Sequence, residues 1–111
     1  MTFVEDLEVI KANFDELLKI PGSNRKFNDH YESVYQDGVL DSKTKRLIAL
    51  CGGIVAGCKG CILGQADHAI RSGATIEELL EVCSVSLSLG GTLAGSQIAM
   101  LVEYLKERGM L

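Results

Sequence analysis

The sequence predicts an all-α fold of about six helices, on three observations. Apolar residues recur at three- and four-residue steps through most of the chain, which is the spacing of one helix face. Two Thr-x-x-Glu patterns, Thr2 to Glu5 and Thr75 to Glu78, match the capping box that opens a helix. No stretch alternates long enough for a strand. Ser84 to Leu89 reads S-V-S-L-S-L and comes nearest, but the capping box upstream and the unbroken register from Ile76 favour helix.

The elements follow in order. Thr2 to about Ile20 carries Phe3, Leu7, Ile10, Phe14, Leu17 and Leu18 on one face, and Pro21-Gly22 ends it. Asn24 to about Tyr35 is a shorter, more polar helix with Phe27, Tyr31 and Val34 inward and His30 on the surface; Asp37-Gly38 then turns the chain. Asp41 or Ser42 caps a third helix running to about Ala56. Gly52-Gly53 inside it costs about 1 kcal/mol per glycine relative to alanine, which points to something packed very close. Gly57 breaks that helix. The fourth carries the dithiol, with its helical stretch from Ile62 to Arg71, and Ser72-Gly73-Ala74 stops it. The fifth runs from Thr75 to about Leu89, Gly90-Gly91 interrupts, and Thr92 to about Arg108 is the sixth.

A chain of 111 residues with 47% apolar residues is expected to form one domain, 1–111, with a real core. The net charge is −4 and no basic stripe exists, so nucleic acid is not an expected partner. No apolar run approaches the roughly 18 residues that span a bilayer, and Met1 to Asp6 lacks the basic-then-apolar pattern of a signal peptide. The expected location is cytoplasmic. The fifth and sixth helices are apolar nearly all round, which one small domain cannot cover, so a homo-oligomer with a twofold base unit is expected.

The stretch with chemistry is Gly57 to Glu81, which opens on Cys58 and Cys61. Two cysteines three residues apart on a helical turn can close a disulfide with little backbone movement. At a helix N-terminus the dipole favours thiolate, the reactive form, and Lys59 between them adds a cation. In a reducing compartment such a pair is catalytic or metal-binding more often than structural. The other cysteines, Cys51 and Cys83, lie in apolar periodic stretches and read as inert core residues.

From Leu40 to Leu105 the chain resembles the carboxymuconolactone decarboxylase and AhpD-like alkylhydroperoxidase superfamily. The landmarks are LDSKTKRLIAL, then C-x-x-C-I at Cys58 to Ile62, then HAIRSGATIEEL with Ala69, Gly73 and Glu77-Glu78, then Gly90-Gly91. The resemblance implies an all-α fold built as intertwined dimers, often assembled into trimers or hexamers. The lactone decarboxylases generally lack the dithiol, so this chain is similar to the redox branch. There the second cysteine, here Cys61, attacks a peroxide, and the first, here Cys58, resolves the sulfenic acid into a disulfide. A dithiol reductant such as a lipoyl protein restores the pair. No cofactor is implied.

Three positions depart from that pattern. The branch has a glutamate where this chain has Arg46, and a histidine where it has Gln65; related members have a histidine where it has Gln97. The family's glutamate and histidine form a proton relay, and neither arginine nor glutamine can act as a base at neutral pH. His68 lies seven residues past Cys61, roughly 10 Å along the helix axis, too far for direct proton transfer within one subunit. Its plain reading is an exposed or interface histidine. Arg46 is either a solvated helix-face arginine or, with Lys59 and the dipole, a charge that holds a thiolate without a relay. Such a site suits thiol–disulfide exchange better than fast peroxide reduction.

Two other functions stay open. The cysteines could ligate a metal, with Cys51 and His68 the near candidates for further ligands, or with two pairs meeting at a dimer axis. A decarboxylase-like enzyme acting on a small lactone or carboxylate is the other, although Gln97 and the retained dithiol speak against it.

Overall fold

The structure, a computed structural model, describes residues 2–111; Met1, at the head of the stretch read for a signal peptide, lies outside them. It contains five α-helices and, among the described residues, no strand: α1 (Phe3–Leu18), α2 (Ser23–Val34), α3 (Ser42–Ala56), α4 (Lys59–Arg71) and α5 (Ile76–Glu107). Both capping boxes form, Thr2 with Glu5 and Thr75 with Glu78. Asp41, not Ser42, caps α3, its carboxylate accepting the Thr44 N–H at 2.8 Å.

Five elements are counted where about six helices were expected because α5 takes in two helical segments that meet at a kink, at the Gly90-Gly91 interruption the sequence signals. Gly91 alone leaves helical geometry, at φ 56° and ψ −136°, a conformation open to glycine and strained for other residues. The two apolar segments thus follow one another across this kink within an element of 32 residues. Counted across the kink, α5 is by length and composition apolar enough to cross a bilayer, which corrects the expectation that no run approaches that length.

α3 is the central helix and packs on both α4 and α5, while α1 lies across α4 and α5. The core sits between them. Leu50 and Ile54 of α3 meet Ile62 and Leu63 of α4 and Leu79, Leu101, Tyr104 and Leu105 of α5, all essentially without solvent contact. Two polar ties close the chain on itself. The Glu107 carboxylate at the end of α5 accepts the N–H groups of Phe3 and Val4, at 3.2 and 2.8 Å, and so satisfies free donors of the first turn of α1. Asp67 of α4 accepts from Lys11, Arg71 and Arg108 and links α1, α4 and the end of α5.

α2 contributes no buried residue, and its backbone approaches only α1. It is tied to the body by Arg46 of α3, described below, and by Lys45, whose ammonium donates to the Val34 carbonyl at 2.9 Å. The outer side of α5 is unpartnered in one chain. Val85, Leu87, Leu89 and Leu93 are each at least half exposed, as is Ile48 of α3.

Candidate active site

Gly57 ends α3 in the left-handed conformation at φ 71°, and the two N–H groups at this bend turn back onto the helix. Gly57 N–H reaches the Ile54 carbonyl at 3.1 Å and Cys58 N–H reaches the Gly53 carbonyl at 3.0 Å. This glycine-terminated bend delivers Cys58 to the N-cap of α4. Cys58 Sγ accepts the Cys61 N–H at 3.2 Å, where other helices use a serine or aspartate oxygen. Cys58 and Cys61 are joined by a disulfide, with Cα atoms 5.2 Å apart. Cys58 is half-buried and Cys61 is exposed.

Gly53 makes this arrangement possible. A Cβ on it would meet Cys61 Cβ at 3.1 Å and the Cys61 and Ile62 backbone at 3.3 Å. The close approach expected at the glycine pair belongs to Gly53 alone, since nothing lies within 4 Å of a Cβ on Gly52.

Cys61 opens onto a cavity of about 400 Å³ between α1, α2 and α4. Its walls are largely apolar, with Leu7, Ile10 and Phe14 from α1 and Phe27 from α2. The polar wall is Tyr31 of α2 with Gln65 and His68 of α4. Cys61, Gln65 and His68 share one face of α4 by their four- and three-residue spacing. A second cavity, about 430 Å³, lies between α3 and α5 and is lined by neither Cys58 nor Cys61.

The polar wall is one hydrogen-bonded cluster. Arg46 donates through Nη1 to the Tyr31 hydroxyl at 2.9 Å and to Gln65 Oε1 at 3.0 Å, and Gln65 Nε2 donates to the Tyr31 hydroxyl at 2.6 Å. The guanidinium also stacks on Tyr35, 3.8 Å from the ring centroid. Arg46 is thus not a solvated helix-face arginine: it is 8% exposed. Nor does it bond either sulfur. Its charge is committed to Tyr31, Tyr35 and Gln65, and it reaches the dithiol only through the wall of the cavity. Gln65 keeps the position beside Cys61 but serves as a link between Arg46 and Tyr31.

Lys59 departs from expectation too. Its ammonium pairs with Asp6 at 2.8 Å and lies over the Phe3 ring, so α1 takes up the charge that the sequence assigned to the sulfurs. His68 is half-buried in the cavity wall rather than exposed. Burial lowers its pKa, and the Arg46 and Arg71 charges lower it further. Gln97 is half-buried on α5 and makes no side-chain hydrogen bond among the described residues, so it stands outside this cluster. Cys83 is buried, and burial together with Cys51 pushes its thiol up. Cys51 is not a core residue: it is half-exposed in the cavity between α3 and α5. Among the described residues no three or more His, Cys, Asp or Glu side chains cluster as a metal site would require. Sequence reasoning passed over Tyr31 and Tyr35 as site residues. Two tyrosines four apart on an otherwise polar helix were the available sign.

Known proteins resemble this chain along most of its length. The carboxymuconolactone decarboxylase family model matches residues 21–102. An uncharacterized protein of Cupriavidus necator is 34% identical over 71 residues, 64% of this chain and 63% of that protein. An uncharacterized protein of the cox locus of Paracoccus denitrificans is 41% identical over 56 residues, half of each chain. The match therefore spans between half and two thirds of those relatives. Among solved structures, a carboxymuconolactone decarboxylase family protein of Legionella pneumophila superposes with a TM-score of 0.87 at 29% identity, covering 95% of both chains. A family protein of Thermotoga maritima, for which involvement in the antioxidative response has been suggested, superposes at 0.76 with 23% identity, covering 96% of this chain and 97% of that one; the second figure shows the fold alone. The helical architecture and the match over residues 21–102 agree: the chain belongs to the carboxymuconolactone decarboxylase family.

Proposed function

We propose that this chain is a dithiol oxidoreductase of the alkylhydroperoxidase-like type, in which Cys61 attacks the substrate and Cys58 resolves. The observation that carries the reading is the difference between the two sulfurs. Cys61 is exposed and lines the cavity, whereas Cys58 is half-buried at the helix N-cap with an N–H donor on its sulfur. A thiolate at Cys61 attacks the terminal oxygen of a hydroperoxide. The S–O bond forms, the O–O bond breaks, and the alkoxide leaves and takes up a proton. Cys58 then displaces hydroxide from the sulfenic acid and the disulfide closes. In the return half-reaction one thiol of a dithiol, such as a dihydrolipoyl group, attacks Cys61 and expels Cys58, and its second thiol then displaces Cys61 from the mixed disulfide, leaving the reductant as a disulfide. The N–H donor and the α4 dipole stabilise Cys58 as a thiolate, and a more stable thiolate leaves faster.

The largely apolar cavity favours an organic hydroperoxide or an organic disulfide over hydrogen peroxide. The unpartnered side of α5, with Leu89 70% exposed, supports a homo-oligomer with a twofold base unit, extended to a trimer or hexamer by the same logic of covering apolar surface. A cytoplasmic setting, where dithiol reductants are maintained, suits the return half-reaction.

The test is steady-state consumption of cumene hydroperoxide driven by dihydrolipoamide. Wild type turns over, and Cys58→Ser and Cys61→Ser each lose turnover. Full activity in Cys61→Ser would remove the reading.

A further inference from the structure

Arginine and glutamine at positions 46 and 65 cannot supply the proton that a departing alkoxide needs. Resting on the peroxide-reducing reading above, we propose that Tyr31 is the proton donor to the leaving oxygen, with Arg46 and Gln65 as the residues that position it.

The assignment of hydrogens follows from the partners. Arg46 has only donors, so the Gln65 atom facing it must be the carbonyl oxygen, and the Gln65 amide nitrogen must face Tyr31. The Tyr31 oxygen therefore accepts two hydrogen bonds, at 2.9 Å from Arg46 and 2.6 Å from Gln65. Both are donated to it, so its own hydrogen is not used in either. No protein acceptor takes that hydrogen among the described residues. Tyr31 is a wall residue of the cavity onto which Cys61 opens, and in this proposal its unused hydrogen goes to an oxygen bound there.

The chemistry balances. Cys61 thiolate bonds to the terminal oxygen of the hydroperoxide as the O–O bond breaks, and the electron pair of that bond goes to the alkoxide. Tyr31 gives its hydroxyl proton to the alkoxide, releasing the alcohol. The phenolate oxygen is left with its two donors in place, one of them a guanidinium, until it recovers a proton from water. Arg46 in turn is fixed by its stack on Tyr35.

The test uses the leaving group. An alkoxide needs a proton and a carboxylate does not. Reduced wild type and Tyr31→Phe are mixed with tert-butyl hydroperoxide and, separately, with peracetic acid, and the rate of Cys58–Cys61 disulfide formation is followed. General acid catalysis is worth about 100-fold or more, so Tyr31→Phe should slow the alkyl hydroperoxide reaction by about that factor. It should leave the peracid reaction within about threefold, which also shows that the variant is folded and its dithiol competent. Equal slowing with both oxidants, or slowing with neither, overturns the role of Tyr31 while leaving the dithiol reading intact. A wild type that forms no disulfide with either oxidant overturns the dithiol reading itself, and this role with it.

Discussion

Gly53 of α3 and Cys61 of α4 are in backbone contact: a methyl group on Gly53 would sit 3.1 Å from Cys61 Cβ. The carbonyl of the same Gly53 holds the Cys58 N–H at 3.0 Å. One residue without a side chain thus sets the position of both cysteines.

Gly53→Ala gains about 1 kcal/mol of helix propensity. Against that, the new methyl meets backbone atoms, which cannot rotate away, and overpacking of this kind costs about 1–3 kcal/mol. The second effect is the larger, so a net loss of up to about 2 kcal/mol is expected in urea unfolding. Gly52→Ala meets nothing within 4 Å and should stabilise by up to about 1 kcal/mol. Equal and favourable effects at both glycines would show that the helices do not touch there.

Arg46→Lys keeps the charge and loses the flat guanidinium. It forfeits the stack on Tyr35 and the paired donation to Tyr31 and Gln65, at a cost of about 1–3 kcal/mol. Because α2 buries none of its own residues, the loss should concentrate there. Hydrogen exchange should speed up over Ser23–Val34 and stay unchanged over the buried face of α4. Uniform protection across both helices would contradict the role of Arg46 in holding α2.

Asp67 gives the fold a defined acid sensitivity. Burial alone would raise its pKa, but hydrogen bonds from Lys11 and Arg108 more than offset this and hold it at about 2. Since the folded value lies below the ordinary 3.8, the carboxylate stabilises the fold above about pH 4. That contribution is lost as pH falls through about 2. The three cationic partners are 26 to 58% exposed, so water returns part of the loss, and Asp67→Asn should cost about 1–3 kcal/mol at pH 6. The gap between wild type and variant should shrink as unfolding is repeated toward pH 2. A gap independent of pH would mean that the ion cluster contributes nothing.

The fold was legible where local chemistry determines it. Thr2, Asp41, Thr75 and Gly57 mark helix ends by hydrogen bonds and backbone conformation that each residue type makes with its near neighbours. Gly91 was legible in the same way: the glycine pair signals a departure from helix, and the backbone leaves helical geometry there. The C-x-x-C was readable for the same local reason, since its two residues are three apart. The rest of the site was not. Arg46, Tyr31 and Gln65 come from three helices, and the 15- and 19-residue separations of their bonds leave no periodic trace. Lys59 was assigned to its sequence neighbours, whereas Asp6, 53 residues away, holds its charge. Long side chains choose partners across the tertiary structure, and spacing along one helix does not reveal that choice.

The most direct measurement is a single turnover of reduced Cys58→Ser with cumene hydroperoxide, with dimedone present to trap sulfenic acid and mass spectrometry to locate it. With its resolving partner gone, Cys61 should stop at the sulfenic acid and carry the adduct, while Cys61→Ser carries none at Cys58. An adduct on Cys58 in Cys61→Ser, with Cys61 unlabelled in Cys58→Ser, would reverse the two roles and contradict the account.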